Sequence, residues 1–469
     1  MEEILNTLIE QSQKEMEEAL KKLIRIPSVI DMDSSAEGAP FGRDIRNALN
    51  GVIQLGEELG FEVKDYDGYA ASIRFGNKEN EKEIGILSHI DVVPPGDGWK
   101  TDPFEPVVTD GKMYGRGTID DKGPMVAALY AMKAVKESGL LLKGHVNHIV
   151  GCDEETGHRC IKYYLTKEKG PDMGFSPDGL FSVIHAEKGI LRFRIQKRFP
   201  ETSRGELTIE RIQAGTVVNA VPGTAKVWFR GTKDALEHVK EQFLLYNNIK
   251  RKRYEWEEEL LCLIFEGVSA HAMQPWLGEN PILPMLDFLK DISLADKEMH
   301  DYFTCLYEMF SDGWEGKSMG IACEDQLSGK LTMNLGIFIL ENRESEVKID
   351  IRCPVHVDLN TLWKTIRLTC EKYGFKAEYW QKRPPLYIPK DAKLVRELLE
   401  VYNEMTGEES GPITIGGGTY CRDVENFVSF GPVFPGEAEL AHEVNEFIDL
   451  DRFAEIAKIY AQALYRLMK

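Results

Sequence analysis

No stretch of this sequence approaches the roughly 20 consecutive apolar residues that a membrane-spanning helix needs, so no span is expected. The opening Met1-Glu2-Glu3-Ile4-Leu5 lacks a basic start followed by an apolar run, which argues against a secretory signal. Positive charge is scarce. The chain has 57 Lys and Arg against 77 Asp and Glu, a net charge of −20 at pH 7. Such an acidic surface repels nucleic-acid phosphates and anionic lipid, so neither is expected as a partner. Cysteine is also sparse. The eight at 152, 160, 262, 305, 323, 353, 370 and 421 form no Cys-x-x-Cys pair and read as free thiols of a reducing cytoplasm. No internal repeat or low-complexity segment is present. What remains is ordinary globular composition, 43% hydrophobic and 29% charged over 469 residues. At roughly 150 residues per domain, two or three domains are expected.

The hydrophobic pattern divides the chain. Met16, Leu20, Leu23 and Ile24 recur at helical spacing before Pro27. Ile84–Val93 is an apolar run stopped by Pro94-Pro95-Gly96 and suits a buried strand. A helix is predicted over 124–138, a buried strand over His145–Gly151, and a further helix to about Leu165. This alternation predicts an α/β sheet with helices on both faces. The middle differs, with strand patterns near 190–197, 206–213, 225–230 and 260–266 and helical ones near 233–246, 281–293 and 358–373. A hairpin is predicted from Leu331–Leu340 and Glu346–Arg352 around Asn342-Arg343. The middle therefore reads as an inserted α+β domain. After Pro384-Pro385 the first pattern resumes, with a helix at about 391–406 and a glycine loop at 416–418.

Several short motifs place His or carboxylates where strands should end. In His89-Ile90-Asp91 the side chains two apart point the same way, which suits a metal ligand and its orienting partner. Taken alone, a hydrogen-bonded core histidine fits equally well. In Thr118–Pro124, an Asp before a helix is commonly an N-cap. That reading fits Asp121 better than Asp120, which could bridge two metals with its two oxygens. Glu154 and Glu155 follow an apolar run, and adjacent buried carboxylates need something positive to hold them. They point apart, so one can ligate while the other handles protons. Asp178 alone reads as a turn residue and His442 alone as structural. The remaining histidines, 145, 148, 158, 185, 238, 300 and 356, read as structural or solvated. As a set, two His and several carboxylates converge where open α/β sheets bind ligands. That mixture suits Zn, Mn or Co better than Ca or Mg.

The blocks Leu87–Gly98 (LSHIDVVPPGDG), Tyr114–Pro124 (YGRGTIDDKGP), Asp153–Gly157 (DEETG) and Ala186–Gly189 (AEKG) resemble the dinuclear metallo-aminopeptidase/aminoacylase/carboxypeptidase family. Gly416–Arg422 (GGGTYCR), Phe430–Gly436 (FGPVFPG) and Ala441–Phe447 (AHEVNEF) narrow the resemblance to PepV-type dipeptidases. It implies a zinc-peptidase-like catalytic domain over 1–188 and 384–469, with a mixed, largely parallel sheet, and an inserted lid over 189–383. It implies two divalent ions, Zn first, with Mn or Co possible. One would sit on His89, Asp120 and Asp178 and the other on Asp120, Glu155 and His442, with Asp120 bridging. Asp91 would orient His89, and Glu154 would be the general base. The peptide bond after the bridging Asp is usually cis in this family. From the lid, His271 in GVSAHAMQPWLGEN would stabilise an oxyanion, and Asn219 and the Gly416-Gly417-Gly418 loop would contact substrate. Arg352 would grip a substrate carboxylate through its planar fork; without the resemblance it reads as a surface strand charge. Cys421 and Pro281 stand where relatives often carry Ala. The implied protein is a cytoplasmic, monomeric dipeptidase acting on unmodified dipeptides, broadly or on those ending in His. A desuccinylase- or aminoacylase-type amidase is the nearest alternative, and a non-catalytic metal-binding protein a more distant one.

Overall fold

A computed structural model describes residues 2–76, 82–200 and 207–469. The chain forms two compact units. The first comprises Met1–Ala186, Tyr387–Thr414 and Thr419–Lys469; the second comprises Glu187–Leu386 and Ile415–Gly418. The loop at 415–418 therefore groups with the inserted segment rather than with its sequence neighbours. No helix among the described residues is long and apolar enough to cross a membrane.

The first unit is built on a mixed sheet. At its centre His145–Gly151, Glu83–His89, Met173–Ser176 and Phe427–Ser429 lie side by side and parallel. Outside them Ala70–Gly76 and Glu62–Tyr66 add antiparallel strands on one side, and Ser429 pairs antiparallel with Ile184 on the other. Parallel pairing is thus a property of the centre, where strands are buried on both faces. Helix Lys122–Glu137 has no exposed residue from Lys122 through Met132, as expected of a helix covered all round. It packs against helices Glu3–Ile24 and Leu450–Met468. Glu3–Ile24 buries Leu5, Ile9, Met16, Leu20 and Leu23, the single stripe that three- and four-residue spacing produces.

Two local readings change. The strand ends at His89, not Val93. Beyond it Ile90 donates to the Gly151 carbonyl and Val92 to that of Ser28, because the neighbouring strand stops at Gly151. Asp121 does occupy the N-cap position of Lys122–Glu137, yet its side chain makes no cap bond. Its Oδ2 instead accepts the His89 amide at 3.1 Å.

The second unit is an eight-stranded antiparallel sheet among the described residues. Its order is Arg251–Glu257, Leu260–Glu266, Thr224–Gly231, Leu207–Ala214, Thr332–Glu341, Glu344–Cys353, Gly189–Arg198 and Lys376–Arg383. Residue 206 of the strand predicted over 206–213 lies outside the described residues. Alternate residues Leu191, Phe193 and Ile195 join one apolar core with Leu236, Phe243, Leu286, Phe303 and Ile366 of the helices. On the opposite face Arg192 and Arg194 pair with Asp350 and Glu346. The helices start on side chains that accept their free N–H groups: Thr232, Asp296 and Asp358 cap Lys233–Leu245, Lys297–Phe310 and Leu359–Lys372. Asn342 and Arg343 turn the predicted hairpin with φ of 49° and 63°, the left-handed pair that matches strand twist in a two-residue turn.

Candidate metal centre

The carboxyl ends of the central parallel strands carry the candidate residues. His89 closes Glu83–His89, Glu154 and Glu155 follow His145–Gly151, and Asp178 follows Met173–Ser176. Asp120 precedes helix Lys122–Glu137 after the turn at Gly115 and Gly117, and the Asp120-Asp121 peptide bond is cis. His442 arrives on the loop before Phe447–Asp449.

These six side chains converge. His89 Nε2 lies 3.0 Å from Asp120 Oδ1 and 3.8 Å from Asp178 Oδ2. The other Asp120 oxygen, Oδ2, lies 3.1 Å from His442 Nε2, which is itself 3.0 Å from Glu155 Oε2. Asp120 therefore offers one oxygen to each imidazole. Two sets of ligand atoms, His89 with Glu154 and Asp178, and Asp120 with Glu155 and His442, each lie within 4.8 Å of one another.

The hydrogen bonding leaves lone pairs aimed inward. His89 Nδ1 is 2.9 Å from the Asp91 carbonyl. A carbonyl only accepts, so Nδ1 carries a proton, and in the neutral ring Nε2 presents a lone pair. That Nε2 and Glu155 Oε1 are buried with no hydrogen-bond partner. Asp91 meets the ring through its backbone. Its carboxylate, 3.6 Å from Nδ1, also accepts the amides of Glu154 and Glu155 at 3.2 Å each.

Electrostatics point the same way. Burial pushes the Asp178 carboxyl well above its usual range, and Asp120 and Glu154 add to the effect. Burial and the Asp120 charge lift Glu155 to about 7. Burial also disfavours charge on Asp120, but His442 and His89 outweigh it and hold that carboxyl low. Crowded buried carboxylates of this kind are stable as anions only beside positive charge. Unpartnered buried imidazole and carboxylate atoms among these clusters fit divalent metal ions.

Supporting contacts that the sequence reading missed surround the centre. The Arg116–Glu446 ion pair, 2.7 Å, is fully buried. Glu446 accepts N–H groups of Gly117 (3.0 Å), Ile119 (2.8 Å) and Asp120 (3.3 Å). Arg116 donates to the carbonyls of His442 and Glu443, both at 3.2 Å. One pair thus ties the Asp120 turn to the His442 loop. His158, read as structural or solvated, lies 3.2 Å from Glu154 Oε1 and bonds Asp423 through its other ring nitrogen. Glu446 lies within the quoted AHEVNEF block; spacing alone offers no signal for His158.

In the second unit a single network links the remaining candidates. Asn219 accepts the Ala272 amide through its carbonyl at 2.8 Å. The Met273 amide donates to His271 Nδ1 at 3.2 Å. Met273 packs so closely on Gly416 that a Cβ there would stand 2.8 Å from the Met273 Cβ. The Gly416 carbonyl accepts from Arg352 Nη1 at 3.0 Å. Arg352 is 3% exposed and paired with buried Asp350 at 2.6 Å, so the surface-charge reading fails. Gly417 is half-buried and Gly418 exposed.

The sequence profile of peptidase family M20/M25/M40 matches residues 85–466. A Bacillus subtilis (strain 168) protein named "Putative dipeptidase YtjP" is 37% identical over 454 residues, 96% of each chain. A Staphylococcus epidermidis protein with the same kind of name is 34% identical over 460 residues, 97% of each. Among solved structures, human carnosine dipeptidase 1 superposes with a TM-score of 0.60 at 16% identity, covering 99% of this chain and 98% of that one. The dipeptidase Dug1p of Saccharomyces cerevisiae gives 0.59 at 15% identity, with the same coverage. At these identities the structural likeness is one of fold.

Proposed function

Because the chain belongs to peptidase family M20/M25/M40, we propose that this peptidase hydrolyses unmodified dipeptides at a two-metal centre, as a monomer in the cytoplasm. His89, Asp120 and Asp178 would hold one ion, and Asp120, Glu155 and His442 the other, with Zn favoured over Mn or Co. Divalent ions bound there polarise a peptide carbonyl and lower the pKa of water. The observation that carries this reading is Asp120, whose two oxygens face two different imidazoles at 3.0 and 3.1 Å.

The chain's own groups would do the rest. Glu154 takes a proton from the attacking water and returns it to the leaving amine. Asp91 keeps His89 in the tautomer that presents Nε2 and anchors the amides of Glu154 and Glu155. The Met273 amide donates to Nδ1 of His271, so the neutral ring carries its proton on Nε2, the nitrogen that would face an oxyanion. Arg352 takes the substrate carboxylate and Asn219 helps fix its length. The Gly416-Gly417-Gly418 loop lines the substrate's path. Dipeptides are favoured as substrate because the similar proteins carry dipeptidase names.

The test is hydrolysis by protein stripped with chelator and reloaded with Zn, Mn or Co. Its panel includes dipeptides (Ala-, Leu- and β-Ala-His among them), tripeptides, and N-acetyl and N-succinyl amino acids. Metal-restored cleavage of free dipeptides is expected. Cleavage of acylated substrates only would move the protein to the amidases, and no cleavage at all would leave a metal-binding protein. Glu154→Gln should retain metal but lose about 10²–10⁴-fold in kcat.

A further inference from the structure

Glu154 is gripped from outside its own loop. Its Oε1 lies 3.2 Å from His158 Nε2, and His158 Nδ1 bonds Asp423 Oδ2. The three residues come from separate places in the first unit. Glu154 follows a central strand, His158 stands at the start of helix Arg159–Lys167, and Asp423 ends the short turn Tyr420–Asp423.

His158 is an odd choice for its position. Helix starts favour Ser, Thr, Asp or Asn, whose side chains cap the first amides. His158 makes no side-chain cap bond and holds a left-handed backbone, φ 54° and ψ 28°. That conformation costs a non-glycine residue about 1–2 kcal/mol. The ring is 2% exposed and stands edge-on to Tyr420, 4.8 Å between centroids. Its backbone N–H is tied to the Asp153 carbonyl at 2.7 Å. Strained and buried, it spends both ring nitrogens on two carboxylates. Such a conformation persists where the surroundings hold it, as the contacts of His158 do here.

We propose that His158, braced by Asp423, is the positioning residue for Glu154. This rests on the reading of Glu154 as general base. A carboxylate pivots about its last bond. With one oxygen held by His158, the other keeps a fixed aim. Glu154 also has an oxygen within 4.8 Å of ligand atoms of His89 and Asp178. Released from His158, it can swing in as an additional ligand and cease to act as a base. His158 therefore governs turnover and leaves substrate affinity and metal content unchanged.

The experiment compares wild type, Glu154→Gln, His158→Leu, His158→Gln, Asp423→Asn and the double variant Glu154→Gln/His158→Leu. Each is measured for kcat and KM on a dipeptide, bound metal per chain and thermal midpoint. The visible absorption of the cobalt-loaded form is recorded as well. His158→Leu should lower kcat by about 10- to 100-fold, the usual loss when a ligand-orienting neighbour is removed, with KM and metal content unchanged. Its cobalt spectrum should shift as Glu154 enters the coordination shell. His158→Gln, whose amide can again donate to Glu154, should recover most of the loss. The double variant should be no slower than Glu154→Gln alone, because a residue acting through another has nothing left to act on. An unchanged kcat in His158→Leu, multiplicative losses in the double variant, or activity lost in proportion to metal would each overturn the proposal. If His158→Leu does not fold, Asp423→Asn serves. It should lower kcat several-fold at constant metal, and an unchanged kcat there overturns the proposal. A wild type that cleaves neither dipeptides nor acylated amino acids, or a Glu154→Gln variant as fast as wild type, overturns the general-base reading itself and this role with it.

Discussion

Glu446 touches no candidate ligand side chain, yet it gathers the amides of Gly117, Ile119 and Asp120 while Arg116 reaches the His442 carbonyl. Glu446→Gln removes the charge that pairs with fully buried Arg116 and loosens both loops together. Metal affinity should fall about 10- to 100-fold, measured by competition with a chromogenic chelator; affinity equal to wild type would show that the loops hold their shape without the pair. A second residue speaks to pH. His148 is fully buried, with Nε2 2.7 Å from Ser88 Oγ and Nδ1 without a hydrogen-bond partner. Burial pushes its imidazole down to about 3. Between that value and an ordinary histidine's roughly 6.5, the unfolded chain binds a proton that the folded chain does not. Stability is therefore lost as pH falls through this window, by at most about 1.4 kcal/mol per unit. In chelator, His148→Gln should flatten the thermal midpoint between pH 6.5 and 4.5 relative to wild type, and parallel curves would contradict this. At this scale the gathering of His89, Asp120, Glu155, Asp178 and His442 into one cluster was legible, because each adjoins an apolar strand, a glycine turn or a recognisable block. Arg116, His158 and Asp423 were not. What each does depends on a loop far away along the chain, and no spacing within one sequence reports such a meeting.

Among the elements, the hairpin Thr332–Glu341 and Glu344–Cys353 sets a local gain against a distant loss. Arg343 holds a φ of 63°, so Arg343→Gly relieves about 1 kcal/mol of backbone cost. Arg343 also pairs with Asp296, which is 5% exposed and caps helix Lys297–Phe310. Leaving a buried carboxylate unpaired costs up to about 3–5 kcal/mol, less here because Arg343 is partly exposed. Net destabilisation is expected, read as a lower thermal midpoint; a higher one would show that turn strain dominates. Asn342→Gly, with no such partner at stake, should be neutral or slightly stabilising. The elements found in the sequence were those with a strong period or an apolar run, such as Glu3–Ile24 and His145–Gly151. Strand Arg251–Glu257 (RKRYEWE) escaped because it lies at a sheet edge with almost every residue solvated, so it shows no alternation. Helix Leu450–Met468 had a usable signal in Asp449, which accepts the amides of Asp451 and Arg452.

For the molecule as a whole, the candidate ligands all lie in the first unit, and the apolar core of the second is drawn entirely from its own segment. Metal removal should therefore act on one unit. A protein saturated at 100 times its metal Kd gains about 2.7 kcal/mol per site. Scanning calorimetry in chelator should show a transition moved down in temperature and a second left in place. One transition that shifts intact would show that the two units unfold together. The division into a resumed α/β pattern around an α+β insert was legible from the change in strand and helix alternation near 188 and 384. The placement of Ile415–Gly418 with the inserted unit was not, because it rests on Gly416 fitting against Met273 and Arg352. The order of the first unit along the chain also constrains its biosynthesis. His89, Glu154 and Asp178 leave the ribosome early, but His442 and the central strand Phe427–Ser429 follow some 250 residues later. At roughly 5–20 residues per second, that delay is tens of seconds. During it the nascent chain carries half a centre beside an incomplete sheet. With the proposed ligand set, the second ion could be held only once His442 has emerged.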